Sequence, residues 1–208
     1  MSVKYINNYP NIIIFAANNP DGIVASYLVK DKYDNNLQND LWERNVHVYL
    51  TERREGSIKE DYYDKIEKLI AKGQKNIVYL IDANIDSQSI IKLWNWSTDK
   101  GFDFVWLDNN IDNIELLKHL NIPGKQSSLK STATLTYEFL NENQPVSKFF
   151  QIFDEGVVDK TEGTFSKEKE ALPLYYFVAS LGNTINDNQN DFLFQNLNKI
   201  IKEEEFLK

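Results

Sequence analysis

Asn18-Asn19-Pro20-Asp21-Gly22 packs two amides, a carboxylic acid and a turn-forming glycine into five residues, directly behind the apolar run Ile12-Ile13-Ile14-Phe15. Two further acids stand in the same relation to apolar runs. Asp82 follows Ile77-Val78-Tyr79-Leu80-Ile81, and Asp108-Asn109-Asn110 follows Phe104-Val105-Trp106-Leu107. Buried strands that end in carboxylates bring those groups to one edge of a parallel sheet, where they hold hard metals or activate water. Taken singly, an Asp or Asn at such a place caps a helix or ends a strand. Three in the same relation point to a site.

The elements that must position these residues follow from periodicity. The three runs above are apolar on both faces, as in a parallel sheet covered on two sides, and Val46 to Thr51 alternates and is β-branched, reading as a further strand. Between them, apolar residues recur at helical spacing: Ile23, Val24, Tyr27 and Leu28 to about Tyr33; Ile58, Tyr62, Ile66, Leu69 and Ile70, closed by Gly73; and a short helix from Ser87 to Trp96, giving way by Gly101. Ile111 to Leu120 and Ser131 to Leu140 read as helices, with the polar loop Lys125 to Lys130 between them. Beyond this point the chain reads as helical over Val146 to Asp154, Leu172 to Leu181 and Asp191 to Phe206. Alternating strands and helices imply right-handed crossovers. The expected fold is α/β, a Rossmann-like, mostly parallel sheet with helices on both faces and a helical C-terminal tail.

Composition narrows the class. The chain has 208 residues, 42% apolar and 26% charged, enough for one full domain. The absence of cysteine excludes a disulfide framework, a thiolate nucleophile and any cysteine-ligated metal. A formal charge of −8 argues against a broad grip on duplex nucleic acid, though not against a small phosphate ligand. No apolar stretch approaches the roughly 18 to 20 residues that span a bilayer, and no signal-like segment opens the chain. A soluble, cytoplasmic protein without a membrane partner is expected.

With these residues in place, the sequence resembles the DHH phosphoesterase family. Ala17-Asn18-Asn19-Pro20-Asp21-Gly22 is similar to that family's first motif, His-Asn-Asp-x-Asp-Gly, and Val78 to Asp82 to its second, a strand ending in a metal-binding aspartate. Trp106-Leu107-Asp108-Asn109-Asn110 stands where Asp-His-His gives the family its name. Ser131 to Leu140 resembles the helix after that motif, and Phe153-Asp154 corresponds to the fourth motif's aspartate. The resemblance covers Ile12 to Asp154. It implies a site in which two manganese or magnesium ions activate a water that attacks a phosphodiester or phosphoanhydride.

The departures from the motif alter that expectation. Ala17 replaces the first histidine, Asn19 the first aspartate, and Asn109 and Asn110 both histidines of the third motif. Alanine donates no electron pair, and an amide oxygen is a weaker ligand than imidazole for a transition metal. The remaining metal candidates are Asp21, Asp82, Asp108 and Asp154, enough for no metal or for a single weakly bound Mg or Mn. Asn18, Asn19, Asn109, Asn110, Ser131 and Thr132 are the candidate cleft and ligand-binding residues, and none is assigned a catalytic role. His47, inside a strand, and His119, late in a helix, do not replace the lost ligands.

Lys125 to Thr132 offers hydroxyls, two lysines and a helix N-terminus, which together suit phosphate as well as they suit an ordinary capped helix. The division expected is a DHH-like α/β domain over residues 1–155 and a helical extension over 156–208 packed on it, with no separate substrate-binding domain. In the extension, Phe192, Leu193, Leu197, Ile200 and Ile201 should pack on the domain. Trp94, Trp96 and Trp106 belong to the core. The functional expectation is a catalytically impaired DHH-like protein that binds a nucleotide-like phosphate ligand or a protein partner. The alternative is a metal-dependent phosphoesterase with an altered site, acting on short oligonucleotides, cyclic dinucleotides or polyphosphate.

Overall fold

The computed structural model describes residues 9–35, 45–51, 60–70, 73–83, 85–110, 118–142, 144–158, 167–182 and 194–201. Five parallel strands form one sheet: β1 (Asn11–Ala17), β2 (Asn45–Thr51), β3 (Asn76–Ile81), β4 (Asp103–Asp108) and β5 (Gly124–Gln126), in the order β2-β1-β3-β4-β5. The first, third and fourth apolar runs are the three central strands. β5 falls in the stretch expected to be a loop; three half-buried residues carry no alternation from which a strand could be read.

Odd and even positions of the central strands serve opposite faces, so one run of isoleucines builds two cores. Ile12, Ile14 and Ala16 face Ala25, Val29 and Tyr33 of α1 (Pro20–Asn35). Ile13 and Phe15 face the other way, toward Ile66 of α2 (Glu60–Leu69) and Ile90 and Leu93 of α3 (Ser87–Lys100). Trp106 is fully buried in that second core, with Trp94 and Trp96 at its margin. α3 runs a turn beyond the expected Trp96 and ends on Gly101, whose φ of 73° is left-handed and whose N–H bonds Ser97 O and Thr98 O. Asp86 caps its start, accepting from Ser89 N at 2.9 Å.

α4 (Thr132–Leu140) lies beside α1, contributing Leu140 to the first core. A third layer then covers the outer side of α1. α5 (Lys148–Val157), α6 (Leu172–Gly182) and the helical residues 194–201 bring Phe149, Phe150, Phe153, Val178, Phe194, Leu197 and Ile201 against Ile23, Val24 and Tyr27. Leu197 and Ile201 thus pack on the domain, as expected, with Ile200 partly buried beside them, whereas Phe192 and Leu193 lie outside the described residues. The helix expected over Ile111 to Leu120 lies mostly outside them too; its described end, Lys118–Leu120, is a 3-10 turn. Among the described residues no helix is long and apolar enough to cross a membrane.

Candidate functional site at the strand-order switch

In this strand order, the connection leaving β1 goes to β2 on one side and the chain then returns to place β3 on the other. The crevice outside the carboxyl ends of β1 and β3 is therefore the switch point, where open α/β sheets place ligands. Asn18 to Gly22 leave β1 there, Asp82 leaves β3 and Asp108 ends β4. Gly22 is needed for the tight exit, since a Cβ at this position would overlap the backbone carbonyl of Ala17. Asn19 caps α1, its Oδ1 accepting from Gly22 N at 2.8 Å, and its amide donates to Asp82 Oδ2 at 2.6 Å. One asparagine thus joins the first two motifs.

Asp21 is buried and turned away from solvent. Its Oδ1 accepts from Ala133 N at 2.7 Å and its Oδ2 from Thr132 N at 2.8 Å, with Asn109 Nδ2 at 3.3 Å. Asp154, also buried, accepts from Ser131 N at 2.6 Å. Ser131 caps α4 through its own hydroxyl, which accepts from Thr134 N at 3.2 Å. The first four N–H groups at this helix start are therefore all taken from within the chain. An α-helix start is a natural anion site, and here it is filled by two carboxyl groups of the protein itself, those of Asp21 and Asp154.

Thr132 also reaches Asp82, with Oγ1 at 3.5 Å from Oδ1. Asp21, Asp82 and Asp154 accordingly meet around Ser131-Thr132-Ala133. Burial, and next the charge of Asp82, push the Asp21 carboxyl from 3.8 up to about 8; the Ala133 and Thr132 N–H groups oppose the shift and Asp154 adds to it. Asp108 stands slightly apart. Its Oδ1 accepts from Asn110 N at 2.9 Å and its Oδ2 lies 3.4 Å from Trp106 Nε1. Asn109 links the end of β4 to Asp21, whereas Asn18 is exposed and its N–H bonds Thr51 O at 2.6 Å.

Ser131 and Thr132, taken in sequence as residues that meet a ligand, are fully buried. The two lysines of the preceding loop are committed as well: Lys125 bonds Glu138 at 3.1 Å and Lys130 bonds the same carboxylate. Burial pushes Glu138 up, and the two ammonium groups together bring it below its usual range. The sequence pointed to these side chains and to the helix N-terminus behind them as a seat for phosphate, but not to Asp21 and Asp154 as the groups that take the N–H groups of Ser131, Thr132 and Ala133. No sequence spacing signals that pairing.

The donor set does not fit the two-ion centre implied by the DHH resemblance. Ala17 offers nothing, Asn109 donates its amide to Asp21, and among the described residues no three His, Cys, Asp or Glu side chains are arranged to hold a metal ion. His47 is half-buried in β2, where burial lowers its pKa.

No protein-family model matches the chain, and no curated protein matches it. Among solved structures, it is similar to an uncharacterized protein from Helicobacter pylori G27, with a TM-score of 0.62 and 13% identity over 88% of this chain and 55% of that one. It is also similar to the exonuclease RecJ bound to manganese, with a TM-score of 0.50 and 12% identity over 88% of this chain and 50% of that one. The chain spans about half the length of each. At these identities the likeness is one of fold. RecJ being a DHH-family member, that likeness fits a DHH-like architecture.

Proposed function

We propose that this chain is a DHH-like domain that acts by binding rather than by two-metal phosphoester hydrolysis. The observation that carries this reading is the filled N-terminus of α4. Asp21 and Asp154 are seated on its N–H groups, Ala17, Asn109 and Asn110 stand where the resemblance calls for imidazoles, and no carboxylate trio among the described residues faces outward as a cage. A phosphate would have to displace a buried carboxylate to reach the helix start, and Lys125 and Lys130 are paired with Glu138. Of the two kinds of partner expected from the sequence, a protein is thereby favoured over a nucleotide-like phosphate. A cytoplasmic setting belongs to the same reading.

A second reading, hydrolysis through one hard cation, has a single observation in its favour. The charges of Asp82 and Asp154 both bear on Asp21, and such convergence is relieved by a cation as well as by a proton. Calorimetric titration of Mn²⁺ and Mg²⁺, together with a hydrolysis assay on a short oligonucleotide, separates the two. The binding reading expects no metal-dependent turnover above the buffer rate. Tight Mn²⁺ binding with turnover, both lost in Asp82→Asn, would establish the hydrolase instead.

A further inference from the structure

We infer that Asn19 keeps divalent cations out of the crevice at the strand-order switch, its amide standing where a metal ion on Asp82 would have to sit. The inference deepens the binding reading above and rests on it for the wild-type protein. The orientation of the Asn19 amide decides the matter. Its Oδ1 accepts from Gly22 N at 2.8 Å, and its Nδ2 donates to Asp82 Oδ2 at 2.6 Å. Exchanging the two atoms would set an NH2 group against the Gly22 N–H and an oxygen against the carboxylate, so both contacts fix the same orientation. Asp82 Oδ2 therefore faces the positive, hydrogen-bearing end of the amide, and a cation approaching that oxygen faces it too.

Burial and the neighbouring donors act in the same direction. Asp82 is 1% exposed, whereas Asn19 is half-buried and follows the exposed Asn18, so Asn19 is the member of the pair that solvent touches. A cation arriving from solvent has to displace a side chain that is tied at its other end to the first turn of α1. Asn109 Nδ2 lies 3.3 Å from Asp21 Oδ2, and Thr132 Oγ1 lies 3.5 Å from Asp82 Oδ1. Uncharged donors thus do for these acids what a hard cation does where carboxylates converge.

Aspartate at position 19 reverses the arrangement at one atom. As a helix cap it equals asparagine, so the bond from Gly22 N is kept, but the group turned toward Asp82 becomes an oxygen. Two carboxylate oxygens brought within hydrogen-bond distance repel, and a shared cation relieves that repulsion. Mg²⁺ and similar hard ions are held by as few as one or two carboxylates, with water completing the shell. Asn19 is accordingly the residue that sets whether this crevice takes a metal.

Calorimetric titration with Mn²⁺, and thermal denaturation in EDTA and in Mn²⁺, test the inference on the full chain. Wild type should bind no Mn²⁺ and melt at the same midpoint in both media. Asn19→Asp should melt below wild type in EDTA, bind about one Mn²⁺ per chain, and gain ~5–10 °C once the ion is at ~100 times its dissociation constant. The combination of Asn19→Asp with Asp82→Asn should bind none. If the aspartate pair prevents folding, Asn19→Ser replaces it: serine keeps an oxygen for Gly22 and withdraws the amide from Asp82, so Mn²⁺ should bind at least about tenfold more tightly than to wild type. Failure of both variants to gain Mn²⁺, or binding that survives Asp82→Asn, overturns the inference and leaves the binding reading standing. Tight Mn²⁺ binding by wild type overturns both.

Discussion

Both carboxyl oxygens of Asp21 accept backbone N–H groups, from Thr132 and Ala133, 111 and 112 residues further along the chain. Asparagine in that position keeps one acceptor oxygen where two are used. Asp21→Asn should therefore destabilise the fold by about 1–3 kcal/mol at neutral pH, the usual cost of leaving a buried donor unmet, as read by chemical denaturation. The pH dependence has a definite sign. Folding raises this carboxyl from 3.8 to about 8, so between those values the folded protein holds a proton that the unfolded chain has released. The group's contribution to stability is greatest below about pH 4, declines as pH rises toward 8 and is flat beyond. The difference between wild type and Asp21→Asn, followed by denaturant midpoint from pH 4 to 9, should show that slope; a flat difference would mean the carboxyl titrates normally. Asp82 adds a backbone restriction, since its φ of 50° lies in the left-handed region that asparagine tolerates better than alanine. For this reason Asp82→Asn, not Asp82→Ala, is the change that removes the charge while sparing the turn.

Elements divide by the strength of their periodic signal. β1, β3 and β4 were legible to within a residue or two because unbroken apolar runs of this length, bounded by polar turns, have few other uses. β5 was not, since a three-residue edge strand is made by register with β4 rather than by its own composition. α3 outran its expected end because the sequence offers polar Ser97, Thr98 and Asp99 before the glycine; Ser97 is nonetheless buried, its hydroxyl donating to Trp94 O at 2.7 Å. The start of α1 depends on one small residue. Gly22→Ala would drive a methyl into the Ala17 carbonyl, forcing apart β1 and the first turn of α1. Thermal denaturation should show a loss larger than the ~1 kcal/mol that alanine normally gains over glycine in a helix would offset.

For the whole molecule, the sheet, its two covered faces and the acids that end its strands were readable in advance, but not that the N–H groups of a helix start would hold Asp21 and Asp154; the third layer was readable as helices that pack on the domain, without the face they cover. Amphipathic spacing says that a helix has a partner, but not which one. In the fold, Leu197 is fully buried among residues of α1, α5 and α6. Leu197→Ala should cost about 2–5 kcal/mol in denaturant unfolding; a loss near zero would mean that the tail is not part of the folded unit. That layer has a kinetic consequence. Pro20 to Tyr27 of α1 are buried without interruption, with the sheet on one side and three helical segments on the other, and β1 is paired along both edges. Amide hydrogens of this β1–α1 unit cannot reach solvent unless the layers separate, so they should be among the slowest in the protein to exchange with deuterium. The residues at the strand-order switch would then report on global opening, and any partner that binds only the native protein would announce itself as slower exchange there.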